Sequence, residues 1–231
     1  MRPTFRVVLN VVVAALLVAS HTFCASAQSD EELRQLYFKR DFSRIEEFAR
    51  AGDTRAEAWM GLIMNEAQRR TEAKEWYRRA AEKDNRFAIG GLAQMHQRDR
   101  EYGEAARWHK RGAELGITNS QYLYASMLVE GQGIPMNEAE AFRWFSAAAG
   151  GGHRYSNVQL AKLYFHGVGT AQDHIQAYAH IEVALKAFSE ADVLAAEARA
   201  LRNQLEARLL PEEIDEARQR ARQLKPARYR W

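Results

Sequence analysis

The 231-residue chain reads as an all-α solenoid, a series of stacked helix pairs with capping helices at both ends. Two ladders and a set of turns predict this. Trp76, Trp108 and Trp144 recur at intervals of 32 and 36 residues, and His180 takes the next place. Alanine stands three residues before each (Ala73, Ala105, Ala141, Ala177), and a small residue four after (Ala80, Gly112, Ala148, Ala184). A second ladder upstream keeps the same step: Ala56, Ala88, Ser120 and Ser156. Met60, Leu92, Tyr124 and Leu160 follow it by four residues, and Gly61, Ala93, Ala125 and Ala161 come immediately after those.

The spacing gives each unit its shape. Small, large and small residues at i, i+4 and i+5 share one side of a helix. The small ones let a neighbouring helix come close, and the large ones fill the space beside it. The first helices of the units are expected near 54–65, 86–97, 119–130 and 155–165, the second near 71–82, 102–115, 137–149 and 173–187. One such pair cannot bury its apolar face alone, so the units must stack. The third and fourth units carry an insertion between their helices, reading Gly131-Gln132-Gly133-Ile134-Pro135 and Gly167-Val168-Gly169-Thr170. Glycines there suit helix termination. A Gly-x-Gly with no strand before it is a weak sign of phosphate binding.

The flanks extend the stack. Glu31 to Ala51 reads as helical, with Phe42, Ile45, Phe48 and Ala49 on one face, before a stop at Gly52 and a cap at Asp53. Past the repeats, Ser189 with Asp192 behind it is a candidate N-cap for a helix striped by Leu194, Leu201 and Leu205. Pro211 suits the first turn of a last helix carrying Ile214, Ala217, Ala221 and Leu224.

The first residues have the pattern of an export signal. Arg2 and Arg6 precede an apolar run from Val7 to Ala19, and Ala25-Ser26-Ala27 offers small residues for cleavage. Residues 1–27 are read as a signal peptide cut after Ala27. The run is short for an uncleaved anchor, since a spanning helix needs ~20 apolar residues. The mature chain would keep 31 basic and 30 acidic side chains, interleaved as on a solvated helix surface. That excludes the concentrated basic face of a nucleic-acid binder; the one basic concentration, from Arg218 to Arg230, mostly follows a helix that begins with acids. Cys24 is the only cysteine and lies inside the signal, so neither disulfides nor thiolate chemistry are expected of the mature chain.

The string Ser156…Leu160-Ala161…Tyr164…Gly167-Val168-Gly169, followed by a helix with paired alanines, resembles the Sel-one-like repeat, a relative of the tetratricopeptide repeat. The third unit carries the pattern best, with Gly131, Gly133, Pro135, Ala141, Trp144, Ala148 and Ala149. The first two units lack the Gly-x-Gly turn, and the fourth has His180 for the aromatic. The resemblance covers about 54–188, with a further half-unit at 41–53. It implies a right-handed α-α superhelical solenoid: capping helices over 28–53, repeats at about 54–85, 86–117, 118–153 and 154–188, then capping helices and a basic tail over 189–231.

No catalytic arrangement is legible. There is no Gly-x-Ser-x-Gly elbow, no His-Glu-x-x-His, and no serine followed three residues later by lysine. The last point bears on cysteine-rich relatives in the repeat family linked to penicillin-type compounds, whose cysteines are missing here. His166, His174 and His180 share one unit, yet they do not line one helical face, and packing at the tryptophan position accounts for His180. No metal or cofactor is expected. His109 and His153 read as surface or turn residues. Trp76, Trp108 and Trp144 read as core. Trp59, Tyr122 and Tyr155 lie off the main ladder beside the first helices, which the resemblance places on the inner concave face. Each is either a partner-binding anchor or a space-filler between units.

The expectation is therefore a monomeric exported scaffold, periplasmic or secreted, that binds a protein or peptide, with no nucleic acid and no membrane insertion after cleavage. The alternatives are a hydrolase acting on cell-wall or β-lactam compounds and a structural subunit of an envelope complex. The resemblance implies envelope signalling, complex assembly or engagement of host proteins without ranking them.

Overall fold

The computed structural model describes residues 29–189 and 191–224. The expected signal segment 1–27, with Cys24, and the tail from Lys225 lie outside the described residues. Twelve α-helices and no strand occupy the described residues. They are α1 (Asp30–Phe38), α2 (Phe42–Arg50), α3 (Thr54–Glu66), α4 (Arg70–Glu82), α5 (Arg86–Arg98) and α6 (Tyr102–Glu114). Then come α7 (Thr118–Glu130), α8 (Glu138–Gly150), α9 (Ser156–His166), α10 (His174–Ala187), α11 (Ala195–Glu206) and α12 (Pro211–Gln223). The chain forms two compact units, and the division falls inside α5, between Leu92 and Ala93. Helices adjacent in sequence pack together: α3 on α4 in the first unit, and α7 on α8 and α9 on α10 in the second. In the second unit α11 and α12 both pack on α10.

Every small-residue position of both ladders is buried, as are Met60, Leu92, Tyr124 and Leu160. The tryptophan ladder is offset from the deepest layer. Trp108 is buried, but Trp76 and Trp144 are half-buried, and the fully enclosed side chains come one residue later: Tyr77, Phe145 and Ile181, with His109 at the same place. The reason is the polar edge of the indole. Trp144 Nε1 donates to Glu140 Oε1, one turn back on the rim of α8, and the Arg79 guanidinium lies over the Trp76 ring at 4.7 Å. In the first unit the Tyr77 ring lies against Gly61 of α3 and Gly91 of α5, where an added Cβ would collide with it.

The two glycine turns repeat one joint. Gly131 and Gly167 end α7 and α9 in the left-handed region, at φ +64° and +70°. The second glycine of each turn presses on the start of the preceding pair's second helix: Gly133 on the backbone of Tyr102 and Gly103, Gly169 on the carbonyl of Glu138. No side chain fits there. In the earlier pairs the turn is shorter, and Gln68 and Arg100 themselves adopt positive φ, at +61° and +60°.

The helical flank from Glu31 to Ala51 consists of two helices: the chain turns at Lys39–Asp41, with Arg40 at φ +57°. A straight rod would hold Leu33 and Phe48 roughly 22 Å apart. The turn brings both onto Met60 and Ile63 of α3 in one apolar cluster. Ser189 does not cap a helix. Asp192 instead accepts from the Ser189 amide and hydroxyl at 2.8 and 3.1 Å, and α11 starts only at Ala195. Pro211 does open α12, with the Leu210 amide donating to Glu213.

Two alanine substitutions separate the joint from ordinary helix propensity. Gly169→Ala combines a positive φ with a backbone collision and should cost about 2–4 kcal/mol in urea unfolding. Gly90→Ala, in α5 with nothing near the added Cβ, should gain about 0.5–1 kcal/mol.

Candidate functional site

The second unit holds a cleft of about 330 Å³ where α8, α9 and α10 meet, closed on one side by Leu224 after α12. The edge on α8 is made of small side chains, Ser146, Ala149 and Gly150. They repeat the reason for the alanine ladder: little bulk on one helix face lets another backbone approach. Leu160, Val183 and Tyr164 supply apolar wall, and Asn157, Gln176 and His180 supply hydrogen-bonding groups.

These polar groups are arranged without net charge. His180 Nδ1 lies 2.9 Å from Asn157 Oδ1 and donates to it. The imidazole stacks on Tyr164 with ring centres 5.6 Å apart and planes 15° apart. Burial pushes His180 down to about 4, so the ring is neutral at neutral pH. Burial, reinforced by Asp173, pushes the Tyr164 phenol up. A neutral surface of this kind suits peptide groups and uncharged side chains rather than an ion.

The three aromatic positions singled out from sequence are all half-buried. Trp59, in the first unit, packs its ring 5.1 Å from Tyr37. Tyr122 and Tyr155 come together around His153, whose ring stacks on Tyr122 at 4.3 Å and meets Tyr155 edge-on at 5.9 Å. The Tyr155 hydroxyl accepts from Arg154 at 2.6 Å and lies 3.4 Å from Asp192. Asn157 and Ser146 have no mark in the sequence, and Tyr164 is read there only as part of the repeat string. Asn157 sits beside the ladder serine Ser156, and a search of the residues flanking the ladder would have reached it.

His109 is buried within α6 rather than at the surface or a turn, and His153 is a turn residue, as expected, but a buried one. His109 takes the Tyr77 and Phe145 place, and both of its ring nitrogens lack a hydrogen-bond partner among the described residues. His153 Nδ1 lies 3.1 Å from Ser156 Oγ, a pairing that invites comparison with a nucleophile and its base. Ser156 is fully buried at the start of α9, and among the described residues no carboxylate is hydrogen-bonded to His153. The pair closes the turn between α8 and α9. Among the described residues no cluster of three or more His, Cys, Asp or Glu could hold a metal ion. No described helix is long and apolar enough to cross a membrane.

The Sel1 repeat model matches residues 67–85, 91–117, 118–153 and 155–187. The chain belongs to the Sel1 repeat family. Two solved structures share its fold. One is a protective antigen from uropathogenic Escherichia coli strains displaying an SLR fold, 22% identical, with a TM-score of 0.68, covering 79% of this chain and 40% of that one. The other is a Sel1 repeat protein from Oxalobacter formigenes, 23% identical, with a TM-score of 0.59, covering 69% of this chain and 47% of that one. The chain thus spans less than half the length of either relative. Sel1 repeats are in general a protein-interaction fold.

The buried histidines set a direction for pH. His109, His153 and His180 are each held at about 4 against an ordinary 6.5, mainly by burial. The unfolded chain therefore binds these protons first as pH falls, and stability drops between about 6.5 and 4 before levelling. Urea midpoints at pH 7 and pH 4.5 should show that loss. His109→Phe, which restores the aromatic of the neighbouring repeats, should raise the unfolding free energy more at pH 4.5 than at pH 7, by roughly 1–3 kcal/mol at the lower value.

Proposed function

We propose that this Sel1 repeat protein is an exported, periplasmic scaffold that holds a partner protein through an extended segment seated between α8, α9 and α10. The observation that carries the reading is the cleft's composition: a small-residue edge beside a neutral His180–Asn157 pair. An extended segment brings its own amides and carbonyls, which such a lining can pair without the desolvation cost of a charge. Export rests on the leader pattern of residues 1–27. A non-catalytic role is supported by the enclosure of Ser156, which withholds the one serine–histidine pair described above from a substrate.

Gly150 is exposed on the cleft edge, and an added Cβ meets nothing within 4 Å. Gly150→Arg should therefore fill the cleft without unfolding the chain. With the protein immobilised against envelope extract, the wild type should retain a discrete protein set. Gly150→Arg should retain about a tenth as much or less, while Lys110→Ala, away from the cleft, should retain it all. Equal retention by the three proteins would contradict the reading.

A further inference from the structure

The cleft of the second unit is also the place from which the chain's last segment departs. Leu224, immediately after α12, forms one wall of it, packed with Val183 and Tyr164. Residues 225–231 therefore leave from the cleft itself. Fully extended, they reach about 23 Å, enough to lie across a cleft of about 330 Å³. That volume is at the low end of the roughly 300–1,000 Å³ of ligand pockets, so the fitting occupant is a short segment rather than a folded domain.

The sequence of that segment is two-sided. Pro226 has no amide to continue a helix and biases Lys225 toward extended backbone. Along an extended chain alternate side chains face opposite ways. Ala227, Tyr229 and Trp231 thus fall on one face, and Arg228 and Arg230 on the other. The cleft suits the aromatic face. Among the described residues that line it there is no Asp, Glu, Lys or Arg, so nothing in it calls for an arginine. The small edge on α8 leaves room for a ring, and Leu160 and Val183 give the ring an apolar wall. Tyrosine and tryptophan each keep one polar edge that needs a partner when buried, and Asn157, Gln176 and His180 offer one. On α12, one turn before Leu224, Arg220 is already paired, 3.6 Å from Asp173 and 2.6 Å from Glu216. Charge is therefore not what would hold the segment.

We propose that residues 225–231 of this chain fold back into the α8–α10 cleft, with Tyr229 and Trp231 seated between the small edge on α8 and the Leu160–Val183 wall, so that the protein covers its own partner site. Arg228 and Arg230 face solvent. This rests on the cleft reading above and adds its regulation: a partner enters by displacing the tail. A segment tethered at Leu224 stands at an effective concentration on the order of millimolar. Segments that bind the cleft weakly are kept out, and one that binds tightly takes the tail's place.

The test keeps the full chain and uses a fluorescein-labelled peptide with the sequence of residues 225–231. The double variant Tyr229→Ala/Trp231→Ala opens the cleft, and anisotropy should report peptide binding about tenfold or more tighter than to the wild type. Adding Gly150→Arg to that variant should abolish the binding. Arg228→Ala/Arg230→Ala should leave the cleft covered, as in the wild type. Circular dichroism checks that each variant stays folded. Equal peptide binding by the wild type and the aromatic variant, binding to neither, or binding that survives Gly150→Arg overturns the proposal. An arginine variant that opens the cleft as far as the aromatic one overturns it too, because charge then holds the tail. So does self-association of the wild type that the aromatic variant abolishes, because the tail then lies in a second copy. Retention of envelope proteins is measured in parallel, and the aromatic variant should retain more of the set than the wild type. Failure of the peptide result with retention still sensitive to Gly150→Arg removes the tail alone. The peptide result without any such retention removes the partner reading and leaves the tail in the cleft.

Discussion

The fold depends on how closely its helices approach one another. Alanine, serine or glycine at each ladder position leaves no bulk where two helices meet, and the large side chains beside them fill the rest. Tyr77 resting on Gly61 and Gly91 is the clearest case in the first unit. Gly133 and Gly169 on the starts of α6 and α8 are its counterparts in the second. Close approach is unforgiving, because a single methyl group at such a place has nowhere to go. That is why the register survives while the exposed faces vary freely.

Much of this was legible because it is periodic. The observed repeat helices begin and end within one residue of the boundaries read from the ladders. A third ladder was there to be found: Gly52, Asp84, Gly116 and Gly152 all have positive φ and keep the same step. Aspartate in the second place hid it, since a left-handed residue is easy to read only as glycine. The flanks were harder. Residues 31–51 are apolar with helical spacing on both sides of Arg40, and only the need to fold Leu33 and Phe48 onto one cluster shows where the rod must break.

The site was less legible than the fold. Trp59, Tyr122 and Tyr155 attracted attention as large residues off the register, yet each is partly spent on its neighbours. Tyr122 in particular is sandwiched against His153. What shapes the cleft is an asparagine beside a ladder serine, small residues on α8 and a histidine in an aromatic's place. His180 stands out in the string only as a break in the aromatic ladder, and Asn157 not at all, because their shared chemistry arises only when α9 and α10 set them 2.9 Å apart.

A protein of this design acts by what its surface holds, so the direct test is to record what touches it. A photo-cross-linking amino acid placed at Ser146, on the cleft edge, and separately at Lys110, on α6, would be irradiated in living cells and the adducts identified by mass spectrometry. The account predicts a discrete protein adduct from position 146 and none of that identity from position 110. Adducts that are absent from both, or the same from both, would contradict it.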